Sequence, residues 1–285
     1  MLEQWDREAR LFSQSVAPSE NRNKNIMSDP VIGVIGTGDF ASYLIAALRN
    51  GGYAGRIVLS PHSREKAERL RRERGCEIAA DNSDLLAKAD WMLIAIRPEQ
   101  LDKTMAGLAF RPSQTVLSAV AGVTVDDLRN RLPDVSDIVR IMPSSYIETM
   151  PDGLIPMFPP VDEVRQVLSH AGTVMAFETE EQFDLATVAA CMSGWLYRAA
   201  GALAEWFEGK GMSQEDARLL STGNIMGAMA HARATPQTSL EDISDGIATD
   251  GTYTKIGLDS LRDKNFMEPW QRALDEVFAK LNGNA

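Results

Sequence analysis

Two stretches of this 285-residue chain combine small residues and hydroxyls in a way that suits anion binding. The first is Gly36-Thr37-Gly38-Asp39-Phe40-Ala41, a GxGxxA between an apolar strand, VIGVIG (31–36), and a helix, ASYLIAALRNGG (41–52). Gly36 allows a tight turn, Gly38 lets the main chain approach a pyrophosphate, and Ala41 permits close helix–strand packing. Phosphates would then rest on the helix N-terminus. A second strand, RIVLS (56–60), follows at the expected distance and completes the context that the motif needs. These residues predict a dinucleotide site built from Gly36, Thr37, Gly38, Asp39 and Phe40. The other stretch is Ala248-Thr249-Asp250-Gly251-Thr252-Tyr253-Thr254, ahead of a short helix over 254–263. A Gly- and Thr-rich turn entering a helix offers free N–H groups to an anion such as a carboxylate. Simple capping of that helix by Thr252 or Thr254 explains the same residues locally.

Further candidates lie at strand ends, where open α/β sheets bind their ligands. After the second strand comes Ser60-Pro61-His62-Ser63-Arg64, with no Asp or Glu to accept the ribose hydroxyls of NAD. Ser60, Ser63 and Arg64 suit a 2′-phosphate, which arginine pairs with in a bidentate way. NADP(H) is therefore expected as the preferred coenzyme, with NAD(H) possible; Arg64 can also simply open an exposed helix. Ala95-Ile96-Arg97-Pro98 ends another strand, and Ser118-Ala119-Val120-Ala121-Gly122 leaves room beside Ala121 for a flat ring. Met142-Pro143-Ser144-Ser145-Tyr146 ends a third, where Ser144 is a candidate substrate contact.

The elements that must hold these residues alternate from 31 to about 142: REKAERLRRERG (64–75), SDLLAKA (83–89) with Ser83 as N-cap candidate, WMLIAI (91–96), PEQLDKTMAGL (98–108) and TVLSAV (115–120). Thr124 with Asp127 forms a capping box, and DIVRIM (137–142) completes the series. Strands separated by helices predict a parallel, doubly wound sheet. GLIPMF (153–158), VDEVRQVLSHAG (161–172) and TVMAF (173–177) add two edge strands around a helix. From 181 the pattern is helical: 181–210, 213–234, 238–245, 254–263 and 268–281. The expected organisation is a flexible leader (1–29), a Rossmann-type α/β domain (30–179) and an all-helical domain (180–285). Met27, directly before the first strand, offers an alternative start.

Composition narrows the function. A net charge of -11 argues against nucleic acid, whose phosphates need clustered Lys and Arg. Cys76 and Cys191 lack metal-ligand spacing, as do His62, His170 and His231, so no metal is expected, and free thiols fit the cytoplasm. Residues 187–207 are apolar, yet Arg198 and Glu205 make membrane insertion costly. They read as a helix of a core or subunit interface.

In order and spacing, these segments resemble the pyrroline-5-carboxylate reductase family over roughly residues 31–265. The family's IGxIGxGNMAxA is similar to Ile32 through Ala41, its AVKPQ to Ala95-Ile96-Arg97-Pro98-Glu99, and its SxxAGV to Ser118 through Val123. Its VRxMPN resembles Val139-Arg140-Ile141-Met142-Pro143-Ser144, and its SPGGTTxxGL lines up with Thr249 through Leu258. The resemblance implies a Rossmann domain followed by helices that interlock two subunits, and NAD(P)H-dependent reduction of a cyclic imine in proline biosynthesis. It implies a carboxylate site at Gly251, Thr252 and Tyr253, and Thr254 beside the imine nitrogen, where it orients rather than protonates. The chain departs from the family where Pro-Gly-Gly-Thr becomes Asp250-Gly251-Thr252-Tyr253 and where SGSGPAY becomes Cys191-Met192-Ser193-Gly194-Trp195-Leu196-Tyr197. Tyr146, Trp195 and Tyr253 can reshape one pocket. A different imine, a carbonyl substrate, or NADPH binding without catalysis remain alternatives. Hydroxyacid dehydrogenases rank lower because 181–208 contains no lysine.

Overall fold

The computed structural model describes residues 29–283. The expected leader therefore lies outside the described residues, apart from Asp29. Eight strands form one sheet: β1 (Ile32–Ile35), β2 (Ile57–Leu59), β3 (Glu77–Ile78), β4 (Trp91–Ile94), β5 (Thr115–Ser118), β6 (Asp137–Ile141), β7 (Leu154–Phe158) and β8 (Thr173–Ala176). Their order is β3-β2-β1-β4-β5-β6-β7-β8. Between them run α1 (Asp39–Asn50), α2 (Arg64–Arg74), α3 (Asn82–Lys88), α4 (Leu101–Met105), α5 (Val125–Arg131) and α6 (Asp162–Leu168).

The six strands from β1 to β6 are parallel, as the alternating pattern predicts. The sheet is not wholly parallel, because β7 pairs antiparallel with β6. Parallel pairing needs a crossover, usually a helix, and residues 142–153 form only turns. A helix does separate β7 from β8, and those two strands are parallel. The two-residue strand β3 is too short to announce itself by periodicity.

Alternation places successive side chains on opposite faces of the sheet. Val34, Leu59, Leu93 and Val139 pack with Leu44, Ile45 and Leu48 of α1 and Val164 of α6. Ile35, Val58, Met92, Ile94 and Val116 pack with Leu85, Leu101 and Leu128 of α3 to α5. Both faces are therefore covered, which explains why the parallel strands read as unbroken apolar runs. Thr124 and Asp127 form the expected capping box at α5. At α3 the cap is Asp81 rather than Ser83: its carboxylate accepts from the Asp84 N–H at 2.8 Å, starting the helix one residue before Ser83.

Beyond Thr179 come α7 (Glu180–Glu208), α8 (Gln214–Ala234), α9 (Leu240–Ile247), α10 (Tyr253–Asp263) and α11 (Glu268–Leu281). The expected 238–245 helix is shifted, because Ser239 caps α9 by accepting from the Asp242 N–H at 3.0 Å. Only the first turns of α7 enter the core, through Phe183, Asp184, Thr187 and Val188. The remainder of α7 to α11 leaves Tyr197, Leu203, Trp206, Leu219, Met226, Leu240 and Ile256 exposed. No helix among the described residues is long and apolar enough to cross a membrane.

One buried cation ties the sheet to this helical half. Arg140 on β6 is 1% exposed, donates from Nη1 to Glu180 Oε1 at 2.7 Å, and sits 2.9 Å from Asp184 Oδ1 through Nη2. The same Glu180 oxygen accepts from the Val125 N–H at 2.8 Å, and the guanidinium lies 4.5 Å over the Phe183 ring. Burial pushes the Asp184 carboxyl above its ordinary range, while Arg140 pulls it back down. Removing one partner of such a pair strands the other in low dielectric. Arg140→Met is accordingly expected to cost about 3–5 kcal/mol in urea unfolding. The deficit should narrow on acidification as the Asp184 carboxyl, already raised by burial, takes up a proton.

Candidate active site

The turn between β1 and α1 is set by steric necessity. Gly36 has φ +95°, and a Cβ there would stand 2.3 Å from the Ala95 carbonyl oxygen. Ala95 in turn donates its N–H to Ile35 O at 2.8 Å, so the end of β4 cannot withdraw. Gly38 is extended and caps α1 without a side chain. A Cβ on it would meet nothing within 4 Å, so the approach to the helix end is open. The first N–H groups of a helix have no partner within it, and here they face that opening. Thr37 is 2% exposed, and its hydroxyl has no hydrogen-bond partner among the described residues. An orphaned buried hydroxyl beside free helix N–H groups fits a phosphate-bearing ligand.

A cavity of about 410 Å³ extends from this turn along the α3 and α4 side of the sheet. It brings together five of the residues expected from sequence: Gly36, Thr37, Ser60, Ser63 and Ile96. Ser60 is buried, and its hydroxyl lies 2.8 Å from Asn82 Oδ1. Arg64 lines a different groove, with Glu68 and Arg71 of α2. Phe40, Ala95, Arg97, Pro98 and Ala121 border the turn or the neighbouring strand ends without lining the cavity. Asp39 points to the opposite flank of α1, in a salt bridge with Lys66. The cavity also contains His62, Asn82, Gln100, Lys103 and Thr104, which sequence reasoning did not select. Their facing depends on how α3 and α4 pack, and only the position of His62 beside Ser60 hinted at a role.

A second cavity, about 430 Å³ and mainly apolar, lies between the β7–β8 edge and α7. Ser144, Tyr146, Met175, Phe177, Gln182 and Ser193 are among its lining. Ser144 donates its hydroxyl to Leu154 O at 3.0 Å, so its side chain braces β7. The 249–254 turn lines neither cavity. Gly251 takes φ +83°, while Thr252 caps α10, accepting from the Lys255 N–H at 3.2 Å and donating to Thr249 O at 2.7 Å. Tyr253 is 93% exposed. Trp195 packs edge-on against Trp270, apart from Tyr146. A single copy of the chain thus keeps Thr254 and Ser144 separate.

The family described as NADP oxidoreductase coenzyme F420-dependent matches residues 31–122. The family described as pyrroline-5-carboxylate reductase dimerisation matches residues 180–283. Pyrroline-5-carboxylate reductase of Pseudomonas aeruginosa is 25% identical over 259 residues, covering 87% of this chain and 94% of that protein. Over most of its length the chain is similar to pyrroline-5-carboxylate reductases, and its helical half matches the dimerisation model of that family. A crystal structure of 1-pyrroline-5-carboxylate reductase from Streptococcus pyogenes shares the fold with a TM-score of 0.79 at 22% identity, over 89% of this chain and 98% of that one. The Plasmodium falciparum pyrroline carboxylate reductase, solved with NADP bound, has a TM-score of 0.79 at 18% identity, over 91% and 100% of the two chains. The helical half of this reductase relative is thus a self-association domain, consistent with its exposed apolar faces.

Two glycine substitutions separate steric from ligand effects at the turn. Gly36→Ala should lower stability by about 1–3 kcal/mol, since it forces a left-handed alanine against β4. Gly38→Ala, in open space at negative φ, should leave the thermal midpoint nearly unchanged. It should nonetheless weaken dinucleotide binding at least about tenfold, because its methyl occupies the phosphate approach. Calorimetric titration alongside thermal melting distinguishes the two.

Proposed function

We propose that this protein reduces a cyclic imine, pyrroline-5-carboxylate to L-proline or a closely related cyclic imino acid, using NADP(H). The carrying observation is the open N-terminus of α1 beside the orphaned Thr37 hydroxyl, joined in one chain to a pyrroline-5-carboxylate reductase dimerisation half. In this reading residues 30–179 hold the coenzyme and residues 180–285 complete the substrate pocket. The two free thiols suit the cytoplasm.

The N–H groups of residues 37–40 receive the diphosphate at the positive end of α1. Preference for NADP(H) over NAD(H) is supported by a cavity wall with Ser60, Ser63, His62 and Lys103 and no carboxylate. Arg64 lines the adjoining groove beside Pro61, next to this wall. Ala95, Ile96, Arg97, Pro98 and Ala121 wall the nicotinamide end. When bound, the coenzyme supplies a hydride. The chain's own task is to orient the imine, hold its carboxylate and exclude water. Gly251, Thr252 and Tyr253 offer main-chain donors to the carboxylate, and Thr254 hydrogen-bonds the ring nitrogen. A threonine hydroxyl is far too weak an acid for net proton transfer, so the imine is protonated by solvent.

Because the 249–254 turn lines neither the cavity at Gly36 nor the one at Ser144, a second copy brings it against Ser144 and the coenzyme. A homodimer through α7 to α11 is the functional unit. Asp250 and Tyr253 favour a second reading, in which the same scaffold reduces an imine lacking the carboxylate.

NADPH oxidation with pyrroline-5-carboxylate, piperideine carboxylates, uncharged imines and ketones decides between them. Turnover with the imino acids, and NADPH bound about tenfold more tightly than NADH, is expected. Turnover confined to uncharged imines would establish the second reading, and tight NADPH binding without turnover would make the protein a non-catalytic binder. Thr254→Ala should lower kcat about tenfold, the worth of one orienting hydrogen bond, with NADPH affinity unchanged. Unaltered kcat would remove Thr254 from the site.

A further inference from the structure

Asp39 is the first residue of α1 and stands where the family motif carries asparagine. A carboxylate in the first turn of a helix is favoured by the unpartnered N–H groups there. Those same N–H groups are the ones open to a diphosphate, and a carboxylate beside a diphosphate is a like charge. The side chain is held elsewhere. Lys66 on α2 donates from Nζ to Asp39 Oδ1 at 2.9 Å. Asp39 thereby lines a shallow groove with Ser42, Tyr43, Arg69 and Glu73, on the flank of α1 away from the cavity of Gly36 and Ser60. Hydrogen bonding and charge from Lys66 hold the Asp39 carboxyl below the usual range, so it is ionised near neutrality. Among the described residues no other cation pairs with Asp39. Arg69 adds only a smaller, longer-range attraction, and Arg74 in the same groove is paired with Glu148 at 2.8 Å.

We propose that Lys66 is a positioning residue of the dinucleotide site: it draws the Asp39 carboxylate off the mouth of α1 and cancels its charge, so that a diphosphate meets the helix N–H groups without a competing anion. This rests on the NADP(H) reading above. Lys66 acts through Asp39 on the phosphates shared by both coenzymes, so it does not discriminate NADPH from NADH.

Calorimetric titration of the full chain with NADPH and with NADH tests this, using Lys66→Met, Asp39→Asn and the double variant. Lys66→Met should weaken both coenzymes about five- to tenfold. Its thermal midpoint should hardly move, because an exposed pair adds little stability. Adding Asp39→Asn should return both affinities to within about twofold of the wild type. Three results would overturn the proposal alone: an affinity in Lys66→Met within twofold of the wild type, a loss that Asp39→Asn fails to restore, or a loss confined to NADPH, which would make Lys66 a ligand of the 2′-phosphate. Wild-type protein that binds neither coenzyme would overturn the NADP(H) reading and this proposal with it.

Discussion

The chain leaves β1 and enters α1 beneath the carbonyl of Ala95, and the space there admits a hydrogen at residue 36 but not a methyl. That contact fixes a left-handed turn and aims the free end of α1 at the carboxyl edge of the sheet. The strand order then does the rest. From β1 the chain winds outward through β2 to β3, then returns to the other side of β1 as β4. The crevice at such a reversal is where open α/β sheets take ligands. The positive end of α1, the unpaired Thr37 hydroxyl and the cavity over Ser60 all meet at this point.

A second constraint joins this half to the helices. Arg140 is carried into the core by an apolar strand and is tolerated because Glu180 and Asp184 meet it there. The three residues are asymmetrically placed: the cation belongs to the sheet and the two carboxylates to the first two turns of α7. They therefore set the direction in which α7 leaves. Beyond Val188 the helices leave many apolar side chains exposed, and the match to a dimerisation domain accounts for this exposure.

Much of this was legible in the residues. Periodicity located the strands and most helices, because parallel strands covered on both faces are continuous apolar runs and the helices carry cap residues such as Thr124. The direction of β7 was not legible, since it depends on the missing crossover between residues 142 and 153 rather than on its own composition. Arg140 looked like one polar residue in a strand, and its importance exists only once α7 lies across it. Gly36, Thr37 and Ser60 could be read from the motif, as they follow the chain locally. His62, Asn82 and Lys103 could not, because three separate elements converge to make that wall. Arg64 was read from type and position, but helix α2 turns it to the neighbouring groove. The 249–254 segment was legible as a turn entering a helix, with Thr252 as its cap, yet it lines neither cavity described above.

The most direct test of the account is a crystal structure of the protein with NADP+ bound. The account predicts diphosphate oxygens within hydrogen-bond distance of the N–H groups of residues 37–40, and the adenosine in the cavity lined by Ser60 and Lys103. A diphosphate bound anywhere else on the chain, with the end of α1 left bare, would contradict it.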